Sequence, residues 1–391
     1  MRSTREKIRY GLLIDVGSGS VGFSIVASSN KKKQPEIIWE KREYTRVKQI
    51  ESITESSKAL ITILTDVAMS VPGEGIKHLR ETTGSAKAAI SEIQVTVAAP
   101  WSYSVSRKIT YEQQDEFEVT NELIHDLAVA AGEEAMLHFR ETYVNVLQEV
   151  TETSRCVLDA YANGYRLPNI NEQKTTNLAL THTTTLVYGT LYNALIELNE
   201  KLFADVPLHV TSSMLSFYHA TRQLKPHVYD VCLVDITDEA TEIGIVRDGS
   251  LTYCTHTPFG TLALARELSA ETKKPLSEVV TRISELFNET SQATAKILLK
   301  AYQEKIIELF RETGDALSIP RTVYLLAEQP VLETLQPTIK QAATKASKTT
   351  TTILTVPEIM NNTDEKIQDY SLATAARFFH TTQNLRHFEY L

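Results

Sequence analysis

Apolar residues near the start of the chain come in short bursts rather than in helical periods. Arg9–Asp15, Val21–Ala27 and Glu36–Arg42 are β-rich runs separated by turn chemistry, which predicts three consecutive antiparallel strands. The period then changes. Ile53, Leu60, Ile61, Leu64 and Val67 recur at three- and four-residue spacing, so Ile50–Met69 reads as an amphipathic helix. A Pro72-Gly73-Glu74-Gly75 loop, a second helix and the strand Glu92–Ala98 complete the unit.

The same succession returns in the second half. Tyr229–Asp235, Thr241–Arg247 and Ser250–His256 read as strands, the last two joined by an Asp248-Gly249 hairpin turn. Helix Gly260–Ala270, a helix-rich stretch to Ala316, strand Arg321–Leu326, helix Pro330–Lys345 and strand Thr351–Val356 follow, with Tyr370–His380 as the last helix. A repeated α/β unit predicts two like lobes with a cleft between them. Between the repeats, Tyr103–Asp205 reads as a compact α+β insertion. Its elements are strand Ser106–Tyr111, helix Val119–Leu137, strands Tyr143–Thr151, Arg155–Tyr165 and Leu178–Val187, and helix Leu191–Phe203. Asn163-Gly164-Tyr165 and Pro168-Asn169 mark a turn within it.

Composition narrows the class. The 391 residues carry 40 basic against 49 acidic side chains, a net charge of −9. The longest basic run is Lys31-Lys32-Lys33, which argues against a general nucleic-acid binder. No apolar run approaches the ~18 residues of a membrane span, and the first residues lack the apolar core of a signal peptide. A cytoplasmic chain is therefore expected. Cys156, Cys232 and Cys254 lack CxxC pairing and the histidines lack HxxxH or HxH spacing, so neither a disulfide framework nor a zinc site is expected. Phe378-Phe379-His380 and Leu385–Leu391 are apolar but poor in cations, which favours docking on the protein over membrane binding. Glycine occurs only 14 times, about half the average usage of ~7%.

Those few glycines cluster in one place. Asp15-Val-Gly17-Ser18-Gly19-Ser20-Val-Gly22 falls where the first strand turns into the second. Backbone N–H groups at Gly17 and Gly19 and hydroxyls at Ser18 and Ser20 suit a phosphate, and Asp15 suits Mg²⁺ held through water. A plain glycine-rich hairpin is the alternative reading of the same residues.

The duplicated three-strand unit, this turn and the second turn Asp235-Ile-Thr-Asp-Glu-Ala-Thr241-Glu resemble the actin-like ATPase superfamily of actin, sugar kinases and heat-shock chaperones. The insertion placed directly after Val97–Trp101 resembles the FtsA and PilM branch, with its SHS2 domain. Asn163-Gly164-Tyr165, Asp248-Gly249 and Pro258-Phe259-Gly260 are secondary matches. The resemblance implies a duplicated, ribonuclease-H-like two-lobed α/β fold with an α+β strand–helix–strand insertion. Residues 1–102 would form the first lobe, 103–206 the insertion, 207–228 the return to the first lobe and 229–391 the second lobe, with a helical subdomain at about 261–319. It further implies an ATP site at Asp15, Gly17, Ser18, Gly19, Ser20, Asp235, Thr237 and Thr241, with Asp15 and Asp235 as the Mg²⁺ side chains.

Departures from the pattern weaken that site. The second turn of active relatives reads Asp-x-Gly-Gly-Gly-Thr-Thr-Asp, whereas here Asp238 and Glu239 would face the phosphates. A like-charge pair at ~4 Å costs about 4 kcal/mol at an effective dielectric of ~20. The adenosine wall, Gly-Gly in relatives, reads Leu326-Ala327-Glu328, and Val210-Thr211-Ser212-Ser213-Met214 offers no carboxylate or amide to orient a water. No catalytic residue is assigned, and binding of ATP and Mg²⁺ is expected to be weak or absent.

The resemblance then implies a cytoplasmic scaffold of type IV pilus assembly, held indirectly at the inner face of the cytoplasmic membrane. It would bind the cytoplasmic peptide of an inner-membrane protein near Ser104–Tyr111, Tyr143–Thr151 and Leu208–Met214. Self-assembly into dimers or filaments belongs to the same expectation. Two alternatives stand beside it: an FtsA-like division protein linking a filament to the membrane, and an active ATPase or sugar-kinase-like enzyme.

Overall fold

The computed structural model describes residues 8–45, 53–142, 149–167, 172–290, 292–316, 318–360, 369–382 and 388–391. The first repeat is built from β1 (Ile8–Val16), β2 (Ser20–Ser29) and β3 (Glu36–Tyr44), then α1 (Ile53–Ser70), α2 (Ile76–Thr83) and β4 (Glu92–Val97). β1 and β2 are buried along most of their length, while β3 is half-exposed at the edge. The loop expected at Pro72–Gly75 is a π-helical turn, Val71–Gly75, that joins α1 to α2. Pro72 lies inside this continuous helical segment, where its missing N–H and its ring interrupt the regular ladder, and the π-helical turn falls at that interruption.

The helical segment Ile53–Thr83 contains an 18-residue window of mean hydropathy 1.3, so by length and composition it passes the membrane-span test, contrary to the sequence expectation. In the fold its stripe of Leu60, Leu64, Val67, Val71 and Leu79 packs into the core of the first lobe.

The insertion comprises β5 (Ser102–Glu118), α3 (Asn121–Thr142), β6 (Val150–Ala162), β7 (Tyr165–Arg166) and β8 (Lys174–Tyr188). β5 is longer than its apolar pattern suggested, because its outer half carries exposed polar residues on a hydrogen-bonded strand. Most of the expected strand Tyr143–Thr151 lies outside the described residues, and Val150–Thr151 are the first residues of β6. The return path is α4 (Gly189–Leu202), β9 (Leu208–Ser212) and α5 (Ser213–Leu224). Leu191, Leu195 and Leu198 of α4 join the first-lobe core beside Leu60 and Leu64.

The second repeat contains β10 (Val231–Ile236), β11 (Thr241–Arg247) and β12 (Ser250–Thr257), then α6 (Thr261–Thr272), α7 (Leu276–Thr281), α8 (Ile283–Glu289) and α9 (Gln292–Ala316). β13 (Thr322–Ala327), α10 (Gln329–Ser347), β14 (Thr352–Thr355), α11 (Val356–Met360), α12 (Tyr370–Thr382) and β15 (Phe388–Tyr390) follow.

Two sheets share one topology. The orders β3-β2-β1-β4-β9 and β12-β11-β10-β13-β14 are the same third-second-first-fourth-fifth arrangement, and the third sheet, β15-β6-β8-β5 with β7 beside β6, combines the strands of the insertion with β15. In each repeat the first two strands are antiparallel and the last three run parallel. Two helices tie the lobes reciprocally. α5 leaves the first sheet and sends Met214, Leu215, Phe217 and Tyr218 into a core with Val231, Leu233 and Val246 of the second. α12 leaves the second lobe and packs Ala375, Ala376 and Phe379 onto Leu13 and Val26 of the first. Phe378 and Phe379 are fully buried, so α12 docks on the protein as its composition suggested, while residues 385–387 of the tail named with it lie outside the described residues.

Candidate functional site

The cleft is framed by two equivalent hairpins. Asp15 pairs with Gly22 across β1 and β2, and Asp235 pairs with Glu242 across β10 and β11. Each turn is closed by the same hydrogen bond, Gly17 N–H to the Ser20 carbonyl and Thr237 N–H to the Ala240 carbonyl, both 2.9 Å. The hairpins meet tip to tip. Ser18 Oγ lies 2.8 Å from Thr237 Oγ1, and the Glu239 N–H donates to Ser18 Oγ at 2.7 Å. Trp101, in the turn after β4, holds the first tip by donating its Nε1–H to the Ser18 carbonyl at 3.2 Å.

The glycines of the first turn make room for side chains of this same protein. A Cβ on Gly19 would lie 3.0 Å from the Asp238 Cβ, and one on Gly22 would lie 2.6 Å from Arg42 Nη2. Asp238 thus fills the concavity of the first hairpin, where the Gly19 N–H and the Ser20 hydroxyl act on its carboxylate. Arg42, projecting from β3, donates to Asp15 Oδ2 at 2.7 Å, to both oxygens of Asp369 at 2.5 and 3.2 Å and to Ser20 Oγ at 3.1 Å.

Burial governs the electrostatics. It raises the Asp15 pKa against the pull of Arg42, and burial followed by the Asp15 charge pushes Asp235 up to about 7. Glu242 is pushed well up by burial and then by Asp235, and among the described residues its Oε2 has no hydrogen-bond partner. Burial also raises Asp238, opposed by Arg42 and the Ser20 and Gly19 donors. For Arg42, burial opposes the charge, but Asp369 and Asp15 outweigh it and push its pKa up. One cation therefore serves a crowd of buried carboxyl groups.

The other cleft walls are equally self-occupied. Glu328, at the head of α10, accepts a hydrogen bond from the Tyr44 hydroxyl at 3.2 Å across the cleft, and burial followed by Asp238 pushes its pKa up to about 7. Ser212 caps α5 by accepting from the Leu215 N–H at 3.1 Å and meets Ser104 Oγ at 2.6 Å. Thr211 Oγ1 lies 3.0 Å from Ser154 Oγ.

No family model matches the sequence, and no curated protein matches it. Comparison of folds is informative. A solved structure of a PilM-PilN type IV pilus biogenesis complex aligns over 95% of this chain and 98% of its own, with a TM-score of 0.59 at 11% identity. The fold is actin-like. More distant solved structures include the ethanolamine utilization protein EutJ from Carboxydothermus hydrogenoformans, with a TM-score of 0.45, 10% identity and coverage of 95% and 90%. Another is a Bacteroides thetaiotaomicron protein with an actin-like ATPase fold, with a TM-score of 0.45, 11% identity and coverage of 94% and 96%.

In this actin-like chain the cleft cavity is lined by Asp15, Gly17, Ser20, Asp235, Thr237 and Asp238 among others, and has a volume of about 30 Å³. That is room for a water or two, against the ~300 Å³ or more of an ordinary ligand pocket. The expected residues Ser18 and Gly19 lie in the hairpin contact itself. Thr241 turns away from the cleft and donates its hydroxyl to the Phe259 carbonyl at 2.7 Å. Glu239 is also turned aside, into a bidentate pair with Arg266 of α6, leaving Asp238 alone of the two carboxylates against the first hairpin.

Mg²⁺ and nucleotide phosphates do not fit these residues as arranged. Asp15 has one oxygen on Arg42 and the other on the Thr96 hydroxyl at 2.9 Å, so a guanidinium stands in the cation's place. Among the described residues, no group of three or more His, Cys, Asp or Glu side chains is placed to hold a metal ion. The sequence reading missed Arg42, Tyr44 and Asp369. Arg42 was within reach, since β2–β3 pairing sets it opposite Gly22, but Asp369 lies 327 residues from Arg42 and only the fold joins them.

Proposed function

We propose that this chain is a nucleotide-independent actin-like adaptor of type IV pilus assembly. It resides in the cytoplasm at the inner face of the cytoplasmic membrane and binds a cytoplasmic segment of an inner-membrane partner, without ATP turnover. The observation that carries the reading is the direct docking of the two hairpins, with Asp238 seated against Gly19 where a phosphate would lie. Retention of the whole two-lobed frame and its insertion around a filled cleft favours a scaffold, whose surfaces matter more than its pocket. Likeness to the PilM structure supports the pilus assignment. The partner segment is placed where the insertion meets the first lobe, near Ser104–Tyr111 and Leu208–Met214, where the Ser104–Ser212 and Ser154–Thr211 contacts join the two sheets.

Deleting the gene in its host tests the assignment. Loss of surface pili with normal cell length, restored by a plasmid copy, is expected. Normal piliation with filamentous cells overturns it in favour of a division role.

A further inference from the structure

A second cavity lies away from the docked hairpins, at the junction of the insertion and the second lobe. β5 and α3 form one wall and β11 and β12 the other, around a volume of about 180 Å³ that shares no lining residue with the 30 Å³ cavity. Tyr103 of β5 supplies an aromatic wall. Its ring stands edge-on to Phe139 of α3 and to His256 of β12, with centroids 4.7 and 5.1 Å away.

Two opposite charges line this cavity without meeting each other. Glu242 of β11 is only 4% exposed; the Ala99 N–H acts on its carboxylate, yet its Oε2 has no hydrogen-bond partner among the described residues. Arg107 of β5 is half-buried, and its Nε is likewise shut from water with no partner among the described residues. Burying a polar atom without a partner is costly, and native folds keep few such atoms. Two of them on the walls of one cavity point to a ligand.

The surroundings of Glu242 supply no cation of their own. His256 stands opposite it across β11 and β12, and burial lowers the His256 pKa to about 4, which leaves the ring neutral near pH 7. On its other side Glu242 faces Asp235 across β10 and β11, and Arg42 is committed to Asp15 and Asp369. Among the described residues no group of three or more His, Cys, Asp or Glu side chains is placed to hold a metal ion, so an organic cation suits this end of the cavity best.

We propose that this cavity binds a small zwitterion of the α-amino acid class, with its ammonium on Glu242 and its carboxylate on Arg107. The guanidinium fork suits a carboxylate, and the buried Glu242 suits a charge-assisted bond from an ammonium. The volume holds about six waters at ~30 Å³ each, which matches a compact amino acid such as alanine, serine or threonine. Because its walls belong to different parts of the chain, a bound molecule would bridge the insertion to the second lobe and couple their contact to the supply of that amino acid. The site stands on these residues whether or not the chain serves pilus assembly.

Isothermal titration calorimetry of the full chain with L-alanine, L-serine and L-threonine tests the proposal, with propionate and ethylammonium as controls that carry one charged end each. Saturable binding of at least one of the three is expected, with no detectable binding of either control at the same millimolar concentrations. Glu242→Gln and Arg107→Gln are each expected to weaken that binding by about tenfold or more. Absence of binding by all three amino acids overturns the proposal, as does a control that binds as tightly as the amino acid, or unchanged affinity in either variant. The ligand panel uses the wild-type chain, so it stays decisive even where a variant fails to fold. A normal pilus count in the gene deletion would contradict the adaptor reading and leave this titration unchanged.

Discussion

Asp235 sits beside Asp15, while the Arg42 guanidinium is committed to Asp15 and Asp369. Burial and then the Asp15 charge therefore favour the protonated form of its carboxyl, against the pull of Arg42. The folded pKa of about 7 lies above the ordinary 3.8, so its contribution to stability is fully present below pH 3.8 and is lost as pH rises through about 7. Asp235→Asn removes this dependence. Relative to wild type, the variant is expected to gain stability between pH 4 and 7, by at most about 1.4 kcal/mol per pH unit. Urea unfolding at pH 5 and pH 8 reads the difference; the same gap at both pH values would contradict the assignment.

At the scale of elements, the hairpin contact depends on one hydroxyl. Ser18 Oγ accepts the Glu239 N–H and meets Thr237 Oγ1, so Ser18→Ala leaves a backbone donor without its partner at the junction of two lobes. A loss of about 1–3 kcal/mol in urea unfolding is expected. A change below ~0.5 kcal/mol would show that the tips are not held together in solution. The hairpins were legible from sequence because turn chemistry and strand alternation are local signals. Their docking was not. Gly17, Gly19 and Gly22 read as a phosphate loop because close approach of backbone to any group selects glycine, and composition does not say whether that group is a nucleotide or Asp238 and Arg42. Likewise Glu239 read as a cleft carboxylate until α6 brought Arg266 to it.

At the scale of the molecule, the repeat was visible because each unit carries its own strand and helix periods, and the shared sheet order matches that reading. The reciprocal helices α5 and α12 were visible only as helices. Their packing on the opposite lobe depends on contacts between residues far apart in sequence, such as Phe379 with Leu13. Between the docked hairpins lies a cavity of about 30 Å³. On the proposed reading, the two-lobed frame stands closed without nucleotide. Thermal and urea unfolding with and without millimolar Mg-ATP tests it most directly. An unchanged midpoint and no phosphate release are predicted, whereas a ligand present at about 100 times its Kd would stabilise the fold by ~2.7 kcal/mol, and a shift of that size would contradict the account.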